Sequence, residues 1–557
     1  MVLKCVLRQA ERARDPDPGR QPQNAFHGLS RRKQELYRVN NDRNPPLRPR
    51  CRVNPTLRHP LLTFLAWQAV GLSLLLVHIG TIVLTGAVVL PMAVTATVLM
   101  LLYIANPLAG FAVFLQILLY QNVCVSLISP SLTPDLFRSS LGTSFLTMLP
   151  LAAVAACRLW SSGRNRRILT YLALAVVVLL GYTALGAARS SPSSAAAYFR
   201  SSSAVLMGLL IGWDLSREND YRTVASCFLV SLALGLGLTF CEITVPVDYY
   251  EAINAPRFYD ISHANAMSAA PLGIRTGQDV VNMLTDSFFN IGGAGGRSSL
   301  RFGGPNMHSV SYAYVMAIGA IVALSLGAGW LALPILPLLF LIGVKGSSIL
   351  LLGTVLLWII GKLFGARFLA ISGLALGAVY LTAAIKFGLA AGDYHVLGFL
   401  GGVHGFMSNP LGHGLGVGGN LSSDVTSSDL TRVWDANQRF GAETPLESAI
   451  GVLIYQMGVG SVAVGYMIWT AFTSGFGRFR SRLGFVPIAI AVLTFNSVLQ
   501  EEAFSPYSMG LLAIFAGALA HERRWVARPS GIAPTASLQA TERPNPPDAI
   551  GAAQANA

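Results

Sequence analysis

A stretch rich in glycine, arginine and polar residues ends directly before an apolar run, and its side chains suit an anionic ligand. Residues 295–309 read Gly-Gly-Arg-Ser-Ser-Leu-Arg-Phe-Gly-Gly-Pro-Asn-Met-His-Ser. The guanidinium groups of Arg297 and Arg301 can each bind two oxygens of a phosphate. The pattern predicts that these arginines bind a lipid-linked diphosphate, although an interfacial arginine that reaches anionic headgroups would give the same pattern.

Two further residues near this stretch could contact a substrate. His308 lies two positions beyond Asn306 and could hydrogen-bond a sugar or carry a proton, but a histidine at a helix end is also a common structural residue. Lys345, in Val-Lys-Gly-Ser-Ser, is the only lysine, arginine or acidic residue between Arg301 and Lys362. An ionisable residue at membrane depth indicates function, here a second cation for a diphosphate, whereas a lysine that reaches water from a turn is the alternative.

A second polar stretch, residues 409–420, reads Asn-Pro-Leu-Gly-His-Gly-Leu-Gly-Val-Gly-Gly-Asn. It contains the spacing G-x-G-x-x-G, but a nucleotide-binding site of that type needs a preceding strand, and none is predicted here. The stretch is therefore predicted to be a flexible or tightly turned loop. His404 lies before it and His413 within it, and each could act as an acid, a base or a sugar ligand, or could be a surface residue without a function.

Acidic residues follow this loop and also separate the last two apolar runs. Arg439, Glu443 and Glu447 precede an apolar run, where the dipole of the following helix would stabilise a carboxylate for purely structural reasons. Alternatively, Glu443 or Glu447 could take the proton from a sugar hydroxyl, the step that glycosyl transfer requires, with Arg439 as a substrate-binding cation. Glu501 and Glu502 could orient an acceptor.

Composition identifies the class of protein that must position these side chains. Of 557 residues, 53% are hydrophobic and 12% are charged, against about 25% charged residues in soluble domains. Spanning β-barrels need alternating strands, whereas this chain has long unbroken apolar runs, so an all-α polytopic membrane protein is predicted. The net charge of +14 comes from basic clusters between apolar runs, which is typical of cytoplasmic loops rather than of a nucleic-acid interface.

The apolar runs predict 14 transmembrane helices. Residues 61–134 contain no Asp, Glu, Lys or Arg and are long enough for three of them, with breaks near Gly80 and Asn106. The other eleven are predicted at 141–157, 168–186, 202–214, 223–241, 307–326, 329–344, 347–361, 368–388, 446–471, 484–500 and 505–520. With basic clusters inside, this count places two long segments, 242–306 and 389–445, on the outer side of the membrane.

Three motifs in the second half of the chain resemble the bacterial O-antigen polymerase and ligase superfamily, the Wzy-like proteins. They are Arg-Phe-Gly-Gly-Pro-Asn at 301–306, Asn-Pro-Leu-Gly-His-Gly-Leu-Gly at 409–416, and the run 447–460 with its Gly-Val-Gly end. Two departures are Glu-Thr-Pro-Leu-Glu-Ser at 443–448, where the family often has a His-Asn pair, and Lys-Gly-Ser-Ser at 345–348 in place of a Ser-Arg. Because ligases depend on that histidine, the first departure favours a polymerase.

The resemblance implies polymerisation of undecaprenyl-diphosphate-linked repeat units into exopolysaccharide or O-antigen at the periplasmic face of a bacterial inner membrane. The implied substrate contacts are Arg297, Arg301, Asn306, His308, Lys345 and Arg439, and the implied catalytic residues are Glu443, Glu447 and His413. Partners would be the lipid-linked glycan, membrane lipid, and flippase and chain-length regulator proteins. No Walker loop, paired Asp motif or Cys/His cluster is present in the sequence, so no cofactor or metal is expected.

Three alternatives stay open: a ligase that transfers a finished glycan, a lipid-linked oligosaccharide flippase, and a scaffold subunit. A transporter is expected to bury ionisable residues within its spans, and the sequence places almost none there. The polymerase interpretation divides the chain as follows: a disordered basic cytoplasmic tail (1–58), an N-terminal transmembrane bundle (59–241), periplasmic loop 1 (242–306), central transmembrane helices (307–388), periplasmic loop 2 (389–445), C-terminal transmembrane helices (446–520) and a disordered cytoplasmic tail (521–557).

Overall fold

The long apolar runs form helices, because a helix pairs its backbone N–H and C=O groups internally where lipid offers no partners. The computed structural model describes residues 60–163, 165–267, 273–287, 298–391, 393–419 and 446–520. The predicted terminal tails therefore lie outside the described residues, as do Arg297, Arg439 and Glu443.

The described part of the chain contains twenty α-helices and one small sheet. In chain order the helices are α1 (Pro60–Thr85), α2 (Val89–Ala105), α3 (Pro107–Ile128), α4 (Pro134–Ser140), α5 (Thr143–Ser161), α6 (Arg166–Arg189), α7 (Pro192–Glu218), α8 (Tyr221–Thr244), α9 (Pro246–Ala252), α10 (Ala255–Met267), α11 (Gly277–Leu284), α12 (Ser309–Leu326), α13 (Ile335–Ile342), α14 (Lys345–Phe364), α15 (Ala366–Ala391), α16 (Tyr394–Ser408), α17 (Ala449–Met457), α18 (Val462–Phe476), α19 (Phe485–Asn496) and α20 (Leu511–Leu519). The strands β1 (Thr285–Ser287) and β2 (Ser298–Leu300) pair antiparallel.

Ten helical segments among the described residues are long and apolar enough to cross a membrane. They are Leu61–Thr85, Pro107–Ser131, Pro134–Ser161, Arg166–Arg189, Pro192–Glu218, Tyr221–Thr244, Ser309–Leu326, Lys345–Phe364, Ala366–Ala390 and Ala449–Phe476. Four shorter apolar helical segments, Val89–Ala105, Gly329–Ile342, Arg482–Asn496 and Pro506–Leu519, lie where the remaining predicted spans were expected. A multi-pass helical membrane protein is thus confirmed, while the count of 14 and the sidedness of the loops stay predictions.

Local sequence explains where the first helices end. The predicted break at Asn106 is confirmed: its side chain accepts hydrogen bonds from the N–H groups of Leu108 and Ala109, and Pro107 occupies the first position of α3. The predicted break near Gly80 is wrong, because α1 continues to Thr85. The chain turns instead at Gly86, which has a φ of 62° that favours glycine.

Close approach between α7 and the last helix organises the centre of the described bundle. A Cβ atom built on Gly212 would lie 2.0 Å from the carbonyl oxygen of Ile514, and one built on Gly208 would lie 2.2 Å from that of Gly510. Small residues allow membrane helices to pack backbone against backbone in this way. Helix α7 begins earlier than predicted, since Ser191 caps it and Pro192 starts it.

The predicted first outer segment contains regular structure. Helices α9, α10 and α11 follow α8 directly, and α11 begins with a capping box in which Thr276 and Asp279 bond each other's backbone N–H groups. The backbone N–H groups of Arg275 and Thr276 both donate to the Asp279 carboxyl, and these bonds lower its pKa below the usual value. The strand β2 of the β1–β2 pair directly precedes residues 301–309, which lead into α12.

Buried ionisable residues within the described helices include His78 and Asp214. His78 in α1 is 2% exposed, and its ring nitrogens lie 2.9 Å from the Thr95 hydroxyl and 3.1 Å from that of Thr143. Asp214 in α7 is fully buried and forms an ion pair of 3.3 Å with Arg158. Sequence analysis missed these groups because a single ionisable residue barely changes the hydropathy of a long apolar run.

Candidate functional site

A buried carboxylate, that of Glu242, forms hydrogen bonds with the backbone of the segment that carries the predicted diphosphate motif. Glu242, near the end of α8, is 1% exposed and accepts hydrogen bonds from the N–H groups of Gly303 (2.8 Å) and Gly304 (2.7 Å). It also accepts a bond of 2.6 Å from the Tyr250 hydroxyl. Burial, reinforced by the charge of Glu242, raises the pKa of this hydroxyl well above its usual value, so it remains a donor. Sequence analysis missed Glu242 entirely.

Asn306 and Arg301 lie at opposite ends of this segment. Asn306 is 2% exposed, and its carbonyl and Oδ1 accept from the Asn122 amide of α3 at 2.6 and 3.0 Å. Its Nδ2 has no hydrogen-bond partner, so its predicted contact with substrate stays a prediction. Arg301 is half-buried, and its N–H donates to the Leu284 carbonyl at 2.9 Å.

His308 begins the next helix and connects this segment to the end of the chain. Its Nδ1 lies 2.8 Å from the Ser311 hydroxyl and accepts from the Ser311 N–H, which makes it the N-cap of α12. The Ser311 hydroxyl in turn donates to Glu502. The structure therefore brings His308, predicted to contact substrate, together with a glutamate that the sequence assigned only to acceptor orientation.

The adjacent glutamate, Glu501, has the most unusual surroundings of the described carboxylates outside the spans. It lies on the 3₁₀ turn Glu501–Phe504, where its Oε1 accepts a bond of 2.8 Å from the Tyr198 hydroxyl and its buried Oε2 has no hydrogen-bond partner. Burial raises the pKa of the Glu501 carboxyl to about 8; the Tyr198 bond opposes this shift, and the charges of Glu447 and Glu502 add to it.

Glu447, a predicted base, lies beside this turn. Its carboxylate Oε2 is 3.9 Å from Nδ1 of His395, and the same nitrogen is 3.1 Å from the Glu447 carbonyl oxygen. The next residue, Ser448, caps α17 and donates to the carbonyl of Val498, which joins this helix start to the chain just before Glu501. Glu447 thus belongs to the same acidic group as Glu501.

A cavity of 30 Å³ opens beside Glu501, between α7, α17 and the 3₁₀ turn. Its polar lining consists of Tyr198, Ser201, Ser202, Gln456 and Glu501. Gln456 is fully buried; its Nε2 donates to the Val417 carbonyl at 3.0 Å, and its Oε1 has no hydrogen-bond partner. Gln456 and Glu501, which both line this mostly apolar cavity, thus each carry a buried oxygen without a hydrogen-bond partner.

His413 lies in the predicted glycine loop, which packs against α6 and α17. Its ring stacks on Tyr455 with centroids 4.1 Å apart, and its carbonyl accepts from Arg189 at 3.2 Å. The loop is tightly packed: the Gly414 N–H donates to the Gln456 carbonyl and the Leu415 N–H to that of Tyr182. Four alternate glycines have positive φ, from 79° to 102°, namely Gly412, Gly414, Gly416 and Gly418. These contacts indicate a structural role for the loop, in which the partly buried His413 packs against Tyr455.

Arg200 is a cation near the turn Glu501–Phe504, and Lys345 is a further cation that the sequence predicts to bind substrate. Arg200, on α7 two residues beyond Tyr198, has a buried Nε without a hydrogen-bond partner, and its charge and that of Glu502 act in opposite directions on the Tyr507 hydroxyl. Lys345 is exposed at the start of α14, and the carbonyl of the following Gly346 accepts from Asn496, the last residue of α19.

Two of the predicted site residues, His308 and Glu447, interact with the acidic turn, defined here as Glu501 and Glu502. Contacts connect it to His308 through Ser311, and its charge interacts with that of Glu447. His404 lies exposed on α16 and is not part of this group. Within the ranges that the structure describes, no group of three or more His, Cys, Asp or Glu side chains is placed to hold a metal ion.

Comparison with known proteins adds no relative. No family model, curated protein or solved structure matches this chain. The resemblance to the O-antigen polymerase and ligase superfamily consequently depends on the three motifs alone. Function must be argued from the chemistry of the acidic turn and its neighbours.

Proposed function

We propose that this protein is a membrane glycosyltransferase that polymerises undecaprenyl-diphosphate-linked repeat units, with Glu501 as the general base. The observation that carries the proposal is the Glu501 carboxylate, which lines a cavity and has one oxygen bonded to Tyr198 and the other unpartnered. The location is the outer face of a bacterial cytoplasmic membrane, and the product is an exopolysaccharide or O-antigen chain.

The reaction requires a base that takes a proton from an acceptor hydroxyl. A base is most effective when its pKa lies near the working pH, and a pKa of about 8 brings Glu501 into that range, whereas an ordinary glutamate is a weaker base. As the proton moves to Glu501 Oε2, the acceptor oxygen bonds to the anomeric carbon of the donor glycan. The bond from that carbon to the diphosphate breaks, and its electron pair leaves with the diphosphate.

The leaving diphosphate requires positive charge, and three described cations could supply it. Arg200 is the best placed, because its Nε is unpartnered and its charge reaches the same hydroxyl as that of Glu502. Lys345 and Arg301 are the further candidates that the sequence indicates. Fixed cations stabilise the charge that develops on a leaving group more effectively than mobile water does.

This proposal changes the roles of the residues that the sequence analysis favoured as bases. Glu447 becomes a neighbouring charge that adds to the rise in the pKa of Glu501 that burial causes. His413 becomes a packing residue, since its ring is stacked on Tyr455. Glu443 lies outside the described residues and keeps its predicted role as an alternative base.

Replacement of Glu501 by glutamine tests the proposal in living cells. Gln keeps the shape and can still accept the Tyr198 bond, but it cannot take a proton. In a strain that lacks the native gene, an E501Q copy should leave single repeat units on the lipid carrier, while a wild-type copy restores long chains. Normal chain lengths with E501Q would overturn the proposal.

The same experiment distinguishes the ligase and the flippase from the polymerase. A ligase defect would leave long chains on the carrier, and a flippase defect would leave repeat units that reagents added outside the cell cannot reach. The flippase gains support from the ionisable groups buried within spans, above all His78 with its two threonine partners. A strain with His78→Gln should make normal glycans if the polymerase proposal is correct.

A further inference from the structure

Two acceptor oxygens in the cavity beside Glu501 lack donors. They are Oε2 of Glu501 and Oε1 of Gln456, and both atoms are buried. A buried acceptor without a donor is unfavourable, so each such atom in a folded protein indicates a missing partner. Both residues line the same cavity, so one ligand there could be a partner of both.

Each acceptor is held in its orientation by a contact on its other atom. The Gln456 Nε2 donates to the Val417 carbonyl, and a flipped amide would set two oxygens against each other there, so Oε1 must be the free atom. The Tyr198 hydroxyl donates a hydrogen bond to Glu501 Oε1, so Oε2 is the oxygen left for a ligand. The site is therefore preorganised to receive two hydrogen-bond donors.

The size of the cavity limits what can enter it. A volume of 30 Å³ accommodates about two water-sized groups, since each needs roughly 10–15 Å³. A complete sugar ring is too large, but two of its hydroxyl groups fit if the ring stays at the mouth. The rest of the lining is apolar and suits ring carbons, with Ala449, Val452, Leu453 and Phe504.

We propose that this cavity binds a vicinal diol of the acceptor sugar, with one hydroxyl donating to Glu501 and its neighbour to Gln456. The inference rests on the proposed function and names the class of acceptor: a sugar with two adjacent free hydroxyls. The hydroxyl on Glu501 is the nucleophile, and the one on Gln456 positions it. An acceptor with a single hydroxyl would leave one buried oxygen unpaired and should bind roughly 10- to 100-fold more weakly.

Binding of small probes to the full-length protein in lipid nanodiscs tests this inference without any transfer reaction. The probes are cis-1,2-cyclohexanediol, cyclohexanol and cis-2-methoxycyclohexanol, with dissociation constants measured by saturation-transfer NMR. The diol should bind at least about tenfold more tightly than either single-hydroxyl probe. Equal binding of the three probes, or no binding of any of them, would mean that only water fills the cavity and would overturn the proposal.

Replacement of Gln456 tests whether this residue causes the preference for the diol. In Gln456→Met the side chain keeps its length but loses the acceptor, so the diol should lose its advantage over cyclohexanol. Ser201→Ala is the matched control on the same cavity, because the Ser201 hydroxyl already donates to the Ala197 carbonyl. If Gln456→Met fails to fold, the comparison of probes on the wild-type protein still decides the question. A diol preference that persists in folded Gln456→Met would assign the site elsewhere.

The outcomes of this test and of the glycan analysis are separable. Failure of diol selectivity with a defective E501Q strain removes only the acceptor site. Normal glycans in the E501Q strain remove the polymerase proposal, whatever the probes do.

Discussion

The Tyr198 hydroxyl donates a hydrogen bond of 2.8 Å to Glu501, although the two residues are 303 positions apart in the chain. Tyr198 lies on α7, one of the helices with a span-like apolar run, and Glu501 lies on the turn before the last helix. The bond joins the centre of the bundle to the acidic turn. It also fixes which carboxylate oxygen is left for a substrate.

Removal of this bond should shift the pH dependence of the reaction to higher pH. The Tyr198 bond lowers the pKa of Glu501, so Tyr198→Phe should raise that pKa further. A base is active when deprotonated, and the rising limb of kcat/KM should therefore move up by about one pH unit, given the usual strength of such a bond. The measurement is chain elongation by purified protein from pH 6 to about 10. An unchanged limb, or one displaced to lower pH, would contradict the assignment of Glu501.

Removal of the neighbouring charge should have the opposite effect. Glu447 raises the pKa of Glu501, so Glu447→Gln should lower it and displace the rising limb to lower pH, with elongation at neutral pH retained. Asp135→Asn, which removes an exposed charge from α4, is the control and should leave the profile unchanged. Loss of all activity in Glu447→Gln would instead support Glu447 as the base.

The buried carboxylate below the diphosphate motif should be essential for stability. Glu242→Ala leaves the N–H groups of Gly303 and Gly304 and the Tyr250 hydroxyl without an acceptor. At about 1–3 kcal/mol for each unsatisfied group, the free energy of unfolding should fall by about 3 kcal/mol or more. Thermal unfolding in detergent measures the loss. Glu251→Ala, at an exposed glutamate with one long bond of 3.4 Å, should change stability far less.

The glycine loop should tolerate no side chain. Gly414 has a φ of 102°, and an added Cβ atom would lie 2.6 Å from the backbone nitrogen of Gly186, so Gly414→Ala should displace the loop from α6 and lower the yield of folded protein. Gly465→Ala is the matched control, because a Cβ there meets nothing within 4 Å. In an exposed helix interior, that change should stabilise the protein by roughly 0.5–1 kcal/mol. Equal yields of the two variants would show that the loop is not packed as described.

The sequence predicted the positions of the helices well, because apolar runs and their breaks are local features. The cap at Asn106 was found correctly, whereas the turn at Gly86 was placed at Gly80, since both glycines interrupt one apolar run and only tertiary structure distinguishes them. Helix α7 was predicted to begin after Arg200, because a charge was taken as the edge of the run.

The site was predicted only in part. The sequence indicated His308 and Glu447, which lie near the acidic turn, and Asn306, which is buried with an unpartnered Nδ2. The importance of Glu501 depends on a tyrosine more than 300 residues away, and no local pattern reveals such a contact. Glu242 was missed for the same reason, because the two backbone N–H groups that it accepts from lie 61 and 62 positions along the chain.

Chain elongation by purified Glu501→Gln protein is the most direct test of the central claim. The assay measures extension of lipid-linked repeat units by wild-type, Glu501→Gln and Glu447→Gln proteins with the same thermal stability. Loss of a general base should lower the rate of Glu501→Gln by roughly 10²- to 10⁴-fold, while Glu447→Gln should remain within about tenfold of wild type. Elongation by Glu501→Gln at the wild-type rate would contradict the account.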